Sequence, residues 1–292
     1  MTVIYPIIKV NQPSILNVWK GLDVKFLVVR VQDLVSPITY EYNKAFYDIK
    51  QTGSIHNFLN TDKKIILSLV MKDDIIYNFD AKRYIDIIKT LKPDFFTTVD
   101  GWTYEGEHKI SWSEIKRCMI QTIEIIQACP DVVPIGQIKG CSKQHLSTHI
   151  SLLKSVGIKK FIFHMGDYFR IGDRKMMAIG KTYAAYIRKH VDELILYGMS
   201  SQRRLTEYSF ADGLITLGYL VKAIHGKKII GTHTQKEKYS KSLVITNLIQ
   251  MIRNIKILKS QTKLTGGDTS WEEDRVLVDQ ALHEAIVPAM AH

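Results

Sequence analysis

Cysteine is scarce in this chain and never closely spaced. Its three cysteines, Cys118, Cys129 and Cys141, form no C-x-x-C pair, so neither a disulfide framework nor a zinc ribbon is expected. The ten histidines are scattered and contain no H-E-x-x-H, which removes the metalloprotease pattern. On these grounds no metal site and no cofactor is expected. No apolar run is long enough to cross a bilayer, and the opening "MTVIYPIIKVNQPS" lacks the ordered regions of a signal peptide. The expectation is a soluble, cytoplasmic protein with no membrane partner. No internal repeat or linker divides the chain, so residues 1–292 are expected to form one domain. No G-x-G-x-x-G follows any strand-like run, which counts against a doubly wound dinucleotide-binding sheet.

Acidic residues are the minority: 29 Asp and Glu stand against 40 Lys and Arg, a net charge of +11. The excess concentrates in "SQRR" (201–204), "HGKKIIGTHTQKEKYSKS" (225–242) and "RNIKILKSQTK" (253–263). Clustered cations attract polyanions without reading sequence, and nucleic acid is the commonest such partner. A lysine-rich surface that serves solubility is the other reading of the same excess.

The remaining pattern is a rhythm. Apolar runs of strand length at 25–31, 64–70, 94–99, 132–138, 159–164 and 193–198 alternate with helical stretches, and "FAD" (210–212) reads as one more short strand. The helices are expected near 40–50, over 80–92 with Asp80 as N-cap, over 111–128 from the capping box "SWSE", over 142–156, around 175–190, and from Gln202. Repeated strand–helix units with apolar strands imply parallel strands covered by helices. The fold expected is α/β, a (β/α)8 TIM-type barrel with extra C-terminal helices. The eighth strand is not evident, and "VIYPIIKV" (3–10) is the segment available to close or plug the barrel. Residues 219–292 are expected as a mainly helical elaboration, including one long helix over 240–258 and a further C-terminal helix.

Barrel enzymes work at the C-terminal ends of their strands. Those ends carry Asp33, Asp73 and Asp74, Asp100, Gln137, then His164, Met165 and Gly166, then Gly198, and finally Asp212. Carboxylates accept N–H bonds, and a carboxamide both donates and accepts, so the set suits the edge of a guanine-like heterocycle. Trp102 and Tyr104, just behind Asp100, offer stacking faces. Each residue also has an ordinary reading. Asp-Gly is a common turn at Asp100 and at Asp212, His164 fits a core histidine, Gln137 fits a satisfied core network, and the aromatics fit rim packing.

The order of these motifs resembles the tRNA-guanine transglycosylase superfamily, barrel enzymes that exchange guanine for a 7-deazaguanine. The likeness runs through "FYDIKQTGSIHNFLNTDKKIIL" (46–67), "YNFDAKRYIDIIKTLKPDFFTTVDG" (77–101), "PIGQIKG" (134–140), "IKKFIFHMGD" (158–167) and "ELILYGMSSQRRLTEYSFADG" (193–213). The resemblance implies that Asp212 is the nucleophile that forms a covalent glycosyl intermediate. It implies base recognition by Asp100 and Gln137, with backbone contacts near His164, Met165 and Gly166. The implied partners are DNA or tRNA and a 7-deazaguanine base such as the 7-cyano form, with a homodimer or a heterodimer with a related subunit as the assembly.

The chain departs from the family twice. Where an Asp-Ser-Gly motif should supply the acid/base it reads "IILSLVMKDD" (65–74), leaving Asp73 or Asp74 as substitutes; no cysteine follows Cys141, so the family's zinc site is absent. A compact form without the usual tRNA-binding additions leans toward the DNA-directed branch. Two competing readings stand beside the enzyme: a non-catalytic nucleic-acid-binding subunit that has lost the acid/base Asp, and an unrelated barrel acting on a small phosphorylated metabolite.

Overall fold

The computed structural model describes residues 3–169, 173–201 and 204–264. Eight parallel strands form one sheet: β1 (Val3–Pro6), β2 (Phe26–Arg30), β3 (Lys64–Ser68), β4 (Phe95–Thr97), β5 (Val133–Ile138), β6 (Lys160–His164), β7 (Glu193–Tyr197) and β8 (Gly213–Thr216). Their spatial order is β1-β8-β7-β6-β5-β4-β3-β2. The two ends meet through a parallel bridge between Ile7 and Val28 and a bond from Ile8 N to Val28 O of 2.9 Å. The N-terminal segment is therefore the missing strand, and it closes a TIM-type α/β barrel.

The strands alternate in register with their two environments. Tyr5, Ile7, Val28, Ile66, Ile135, Ile162, Ile195 and Ile215 form a separate apolar cluster inside the barrel. Their chain neighbours Ile4, Leu27, Val29, Ile65, Leu67, Phe161, Phe163, Leu194, Leu196 and Leu214 belong to the larger core between sheet and helices. Such strands are apolar on both faces, which explains why they read as continuous runs rather than alternating ones.

Helices α1 (Lys44–Thr52) and α2 (Ile55–Leu59) lie between β2 and β3, and α3 (Asp73–Ile76) and α4 (Ala81–Leu91) between β3 and β4. Helices α5 (His108–Ala128), α6 (Lys143–Ser155) and α7 (Arg174–Arg188) follow β4, β5 and β6. The α4 start behaves as its sequence suggests: the Asp80 carboxylate accepts from Arg83 N at 2.9 Å, and Tyr84, Ile87, Ile88 and Leu91 are buried. The start of α5 does not. Its first residue is His108, and Ser111 Oγ instead accepts from Tyr104 N at 3.1 Å, tying down the loop before the helix. The β1–β2 and β7–β8 connections carry 3-10 turns among their described residues (Pro13–Ile15, Thr206–Tyr208), not α-helices. The helix expected from Gln202 falls partly outside the described residues.

Beyond the barrel come α8 (Gly218–Ile224), an antiparallel hairpin of β9 (Lys227–Ile230) and β10 (His233–Lys236), and α9 (Lys241–Leu264). The two helices make up most of the described part of this C-terminal elaboration, with the hairpin between them, and the helix expected beyond residue 264 lies outside the described residues. One side chain joins the unit. Asn247, fully buried in α9, accepts from Ile229 N (2.7 Å) and donates to Lys227 O (2.9 Å) and Tyr219 O (3.3 Å). Asn247→Leu strips the partner from buried backbone groups at about 1–3 kcal/mol each. Urea denaturation should show a loss of roughly 2–4 kcal/mol; a loss within 0.5 kcal/mol would mean the hairpin does not depend on this bond set.

No helix among the described residues is long and apolar enough to cross a membrane.

Candidate functional site

Moving two residues along a strand returns the side chain to the same face. Two residues beyond the middle apolar layer, the barrel interior turns polar at its C-terminal end. Val28 leads to Arg30, Ile66 to Ser68, Phe95 to Thr97, Ile135 to Gln137, Ile162 to His164 and Ile195 to Tyr197. Ser68 Oγ donates to Tyr197 Oη at 3.2 Å, a bond from one side of the barrel to the other. Burial pushes the Tyr197 phenol up to about 12, so it enters this layer as a neutral hydroxyl.

Two buried carboxylates sit at this mouth, each matched to cations. Asp33, in the 3-10 turn after β2, accepts from Arg30 Nε and Nη2, both at 3.0 Å, and pairs with the Lys9 ammonium. Asp100, in the loop after β4, is 4% exposed. Its Oδ1 accepts from Gln137 Nε2 at 2.7 Å and Gly101 N at 3.0 Å, and lies 2.5 Å from Lys139 Nζ. Its Oδ2 has a longer bond, 3.3 Å from Met71 N. Gln137 is wholly buried, and its Oε1 has no hydrogen-bond partner. Native proteins rarely leave such an atom unsatisfied. The expected pair, Asp100 and Gln137, is thus in direct contact.

The other expected residues divide. His164 ends β6, half-buried, with its ring 5.2 Å from that of Tyr197. Glycines leave room on both sides of it: a Cβ on Gly166 would come within 2.9 Å of His164 Cε1, and one on Gly198, at φ +89°, within 3.2 Å of Nε2. Met165 points elsewhere. Its side chain belongs to the core between sheet and helices, and only its backbone faces the strand ends, donating to Tyr197 O at 2.7 Å. Trp102 and Tyr104 form an aromatic group with Tyr77; Trp102 meets Tyr77 edge-on at 4.4 Å and Tyr104 at 5.9 Å. Trp102 Nε1 is buried without a partner. Asp73 and Asp74 are exposed on α3, outside the polar layer, and Tyr104 Oη reaches Asp73 Oδ2 at 3.3 Å.

Asp212 requires a correction. Residues 210–212 are not a strand; β8 begins at Gly213, so Asp212 precedes its strand rather than ending it. It lies at the N-terminal rim, where its Oδ2 accepts from Leu194 N at 2.9 Å and stands 3.6 Å from Arg188 Nε. Its backbone joins three strand starts, donating to Leu194 O (2.8 Å) and accepting from Val3 N (3.2 Å). The length of β8, about 13 Å at strand rise, separates it from the mouth. Asp212 and the Asp100–Gln137 pair cannot act on one atom.

Arg30, Ser68, Tyr197 and Lys139 were not among the expected site residues. The signal available for the first three was the two-residue step from an interior apolar position. Expected absent from the sequence, a group of metal-ligating types also converges: His108, Cys141 and His145, whose ligand atoms all lie within 4.8 Å of one another. A shallow cavity lined by Trp19, Lys20, His56, Asn60 and Lys63 has a volume of about 650 Å³. It lies at the opposite end, beside the His56–Asp94 contact that precedes β4.

These features define the class: a parallel α/β barrel with a buried, charge-matched polar mouth at the C-terminal ends of its strands. Comparison with protein-family models finds no match, and comparison with curated proteins finds none either.

Proposed function

We propose that the barrel mouth holds a guanine-like base, in a protein that works on nucleic acid. The observation that carries this reading is Gln137 Oε1, a buried acceptor with no partner beside an Asp100 whose Oδ2 has only one long bond. Two acceptors side by side suit a base with two adjacent N–H donors, as at N1 and the 2-amino group of guanine or a 7-deazaguanine. Adenine has no such pair. Both side chains are covered, so a base reaches them only when rim side chains shift. The hairpin adds the polyanion side: every residue of β10 is exposed, and Lys227, Lys236, Lys238 and Lys241 around it are exposed cations. DNA and tRNA both satisfy that chemistry.

Direct calorimetric titration with guanine, 7-cyano-7-deazaguanine and adenine tests the pocket. Binding of the first two but not adenine is expected, with Gln137→Met weakening it more than about tenfold, the scale of one buried hydrogen bond. Equal affinity for adenine, or no effect of Gln137→Met, would remove the reading.

A second reading, base exchange on DNA or tRNA, has support from one observation: Asp33 is a further carboxylate at the same mouth. In this reading Asp33, not Asp212, attacks C1′ of the target nucleoside, and guanine leaves with the bonding electrons of the broken glycosidic bond. Incubation of the protein with deazaguanine and either polymer, followed by nucleoside mass spectrometry, should then give product that survives Asp212→Ala and disappears in Asp33→Asn. Product lost in Asp212→Ala with folding and base affinity intact would restore Asp212 to the chemistry. No product with either polymer leaves the base-holding, non-catalytic reading.

A further inference from the structure

The group formed by His108, Cys141 and His145 stands apart from the polar layer. His108 is the first residue of α5, Cys141 follows β5, and His145 lies in the first turn of α6. Cys141 Sγ is 3.5 Å from His145 Nδ1 and 3.8 Å from His108 Nδ1. In a tetrahedral zinc site, with Zn–S near 2.3 Å and Zn–N near 2.0–2.1 Å, neighbouring sulfur and nitrogen ligands stand about 3.6 Å apart. The two observed spacings bracket that edge.

The surroundings hold the ligands in place. Ser142 caps α6 by accepting from His145 N at 3.2 Å, and Trp112 packs 5.8 Å from the His145 ring. The Tyr183 hydroxyl lies 3.0 Å from Cys141 O and 2.9 Å from Glu105 Oε1. Cys141 is buried while His108 is exposed, so the group lies at the boundary between the interior and solvent.

We propose that Cys141, His108 and His145 bind one zinc-class divalent cation. Binding forms one metal–sulfur and two metal–nitrogen bonds and releases the thiol proton to solvent. The cation clamps the loop after β4, which carries Asp100, to the segment after β5, which carries Lys139. It does not depend on the base-binding reading, because no base takes part.

The test uses the full chain, stripped with chelator and titrated with cobalt(II), whose spectrum reports ligand type. One equivalent is expected, with tetrahedral visible bands and a thiolate-to-cobalt charge-transfer band, both displaced by zinc. Cys141→Ser should lose the charge-transfer band, and His108→Ala, at an exposed position, should weaken cobalt binding more than about tenfold. Wild-type protein that takes up no stoichiometric cobalt, or shows no thiolate band, overturns the proposal whether or not the variants fold. So does an unchanged band in folded Cys141→Ser.

Discussion

Replacing Asp100 with alanine is expected to cost about 3–5 kcal/mol of folding stability, the range for removing one partner of a buried ion pair. The carboxylate is the acceptor for Gln137 Nε2 and Met71 N, and the Lys139 ammonium, 11% exposed on its side chain, sits 2.5 Å from it. Alanine removes that acceptor and leaves the donors facing a void. Against a typical total of about 5–15 kcal/mol, the loss is a large fraction. A double-mutant cycle separates charge from packing: Asp100→Ala with Lys139→Met should lose less than the sum of the two single changes. Urea midpoints for the four proteins check it. A single-mutant loss below 1 kcal/mol would mean that water screens the pair, and the mouth would then be far more open than its burial indicates.

The second large effect is an acid-side loss of stability centred on His149. This residue, on α6, is 1% exposed, and its Nδ1 accepts from Lys139 N at 2.9 Å. Burial lowers its pKa from 6.5 to about 4. The folded protein therefore keeps the ring neutral through a pH range in which the unfolded chain protonates it. The contribution is complete above pH 6.5 and is lost as pH falls toward 4. A tenfold change in proton affinity is worth about 1.4 kcal/mol, so the span corresponds to about 3 kcal/mol. Glu105 works in the opposite direction. Burial raises its carboxyl above 4.5, so protonating it on acidification favours the folded state. Comparing His149→Asn with wild type isolates the histidine. The variant is expected to be less stable at pH 7 but flatter between pH 6.5 and 4, by chemical denaturation at each pH. Parallel profiles would remove His149 as the cause.

His149 and Asp100 act on the same short stretch. Lys139 gives its backbone N–H to the histidine and its ammonium to the carboxylate. Acid should therefore loosen the end of β5 that carries Gln137 before it melts the barrel.

Much of the architecture is a local property of the chain. The apolar runs became strands because each is buried on two faces, and the Asp80 cap and the Tyr84, Ile87, Ile88, Leu91 stripe formed α4 as written. Asp100 and Gln137 were legible as polar residues at the ends of apolar runs, but their sequence left a turn and a core network open for them, and only the fold put them in contact. Three further things were decided only in three dimensions. Closure of the barrel depends on Ile7 meeting Val28, a contact between strands whose pairing leaves no periodic trace in either. The position of Asp212 turned on a strand boundary: β8 starting one residue later, not ending there, moves the carboxylate to the other end of the molecule. Local propensity sets such boundaries poorly, because the ladder partners Leu194 and Val3 select them. The His108–Cys141–His145 group joins residues 33 and 4 positions apart. Only the short spacing, Cys141 to His145 across a helix start, was visible in sequence. His108 arrives because parallel strands β4 and β5 are neighbours and bring the loops that follow them together.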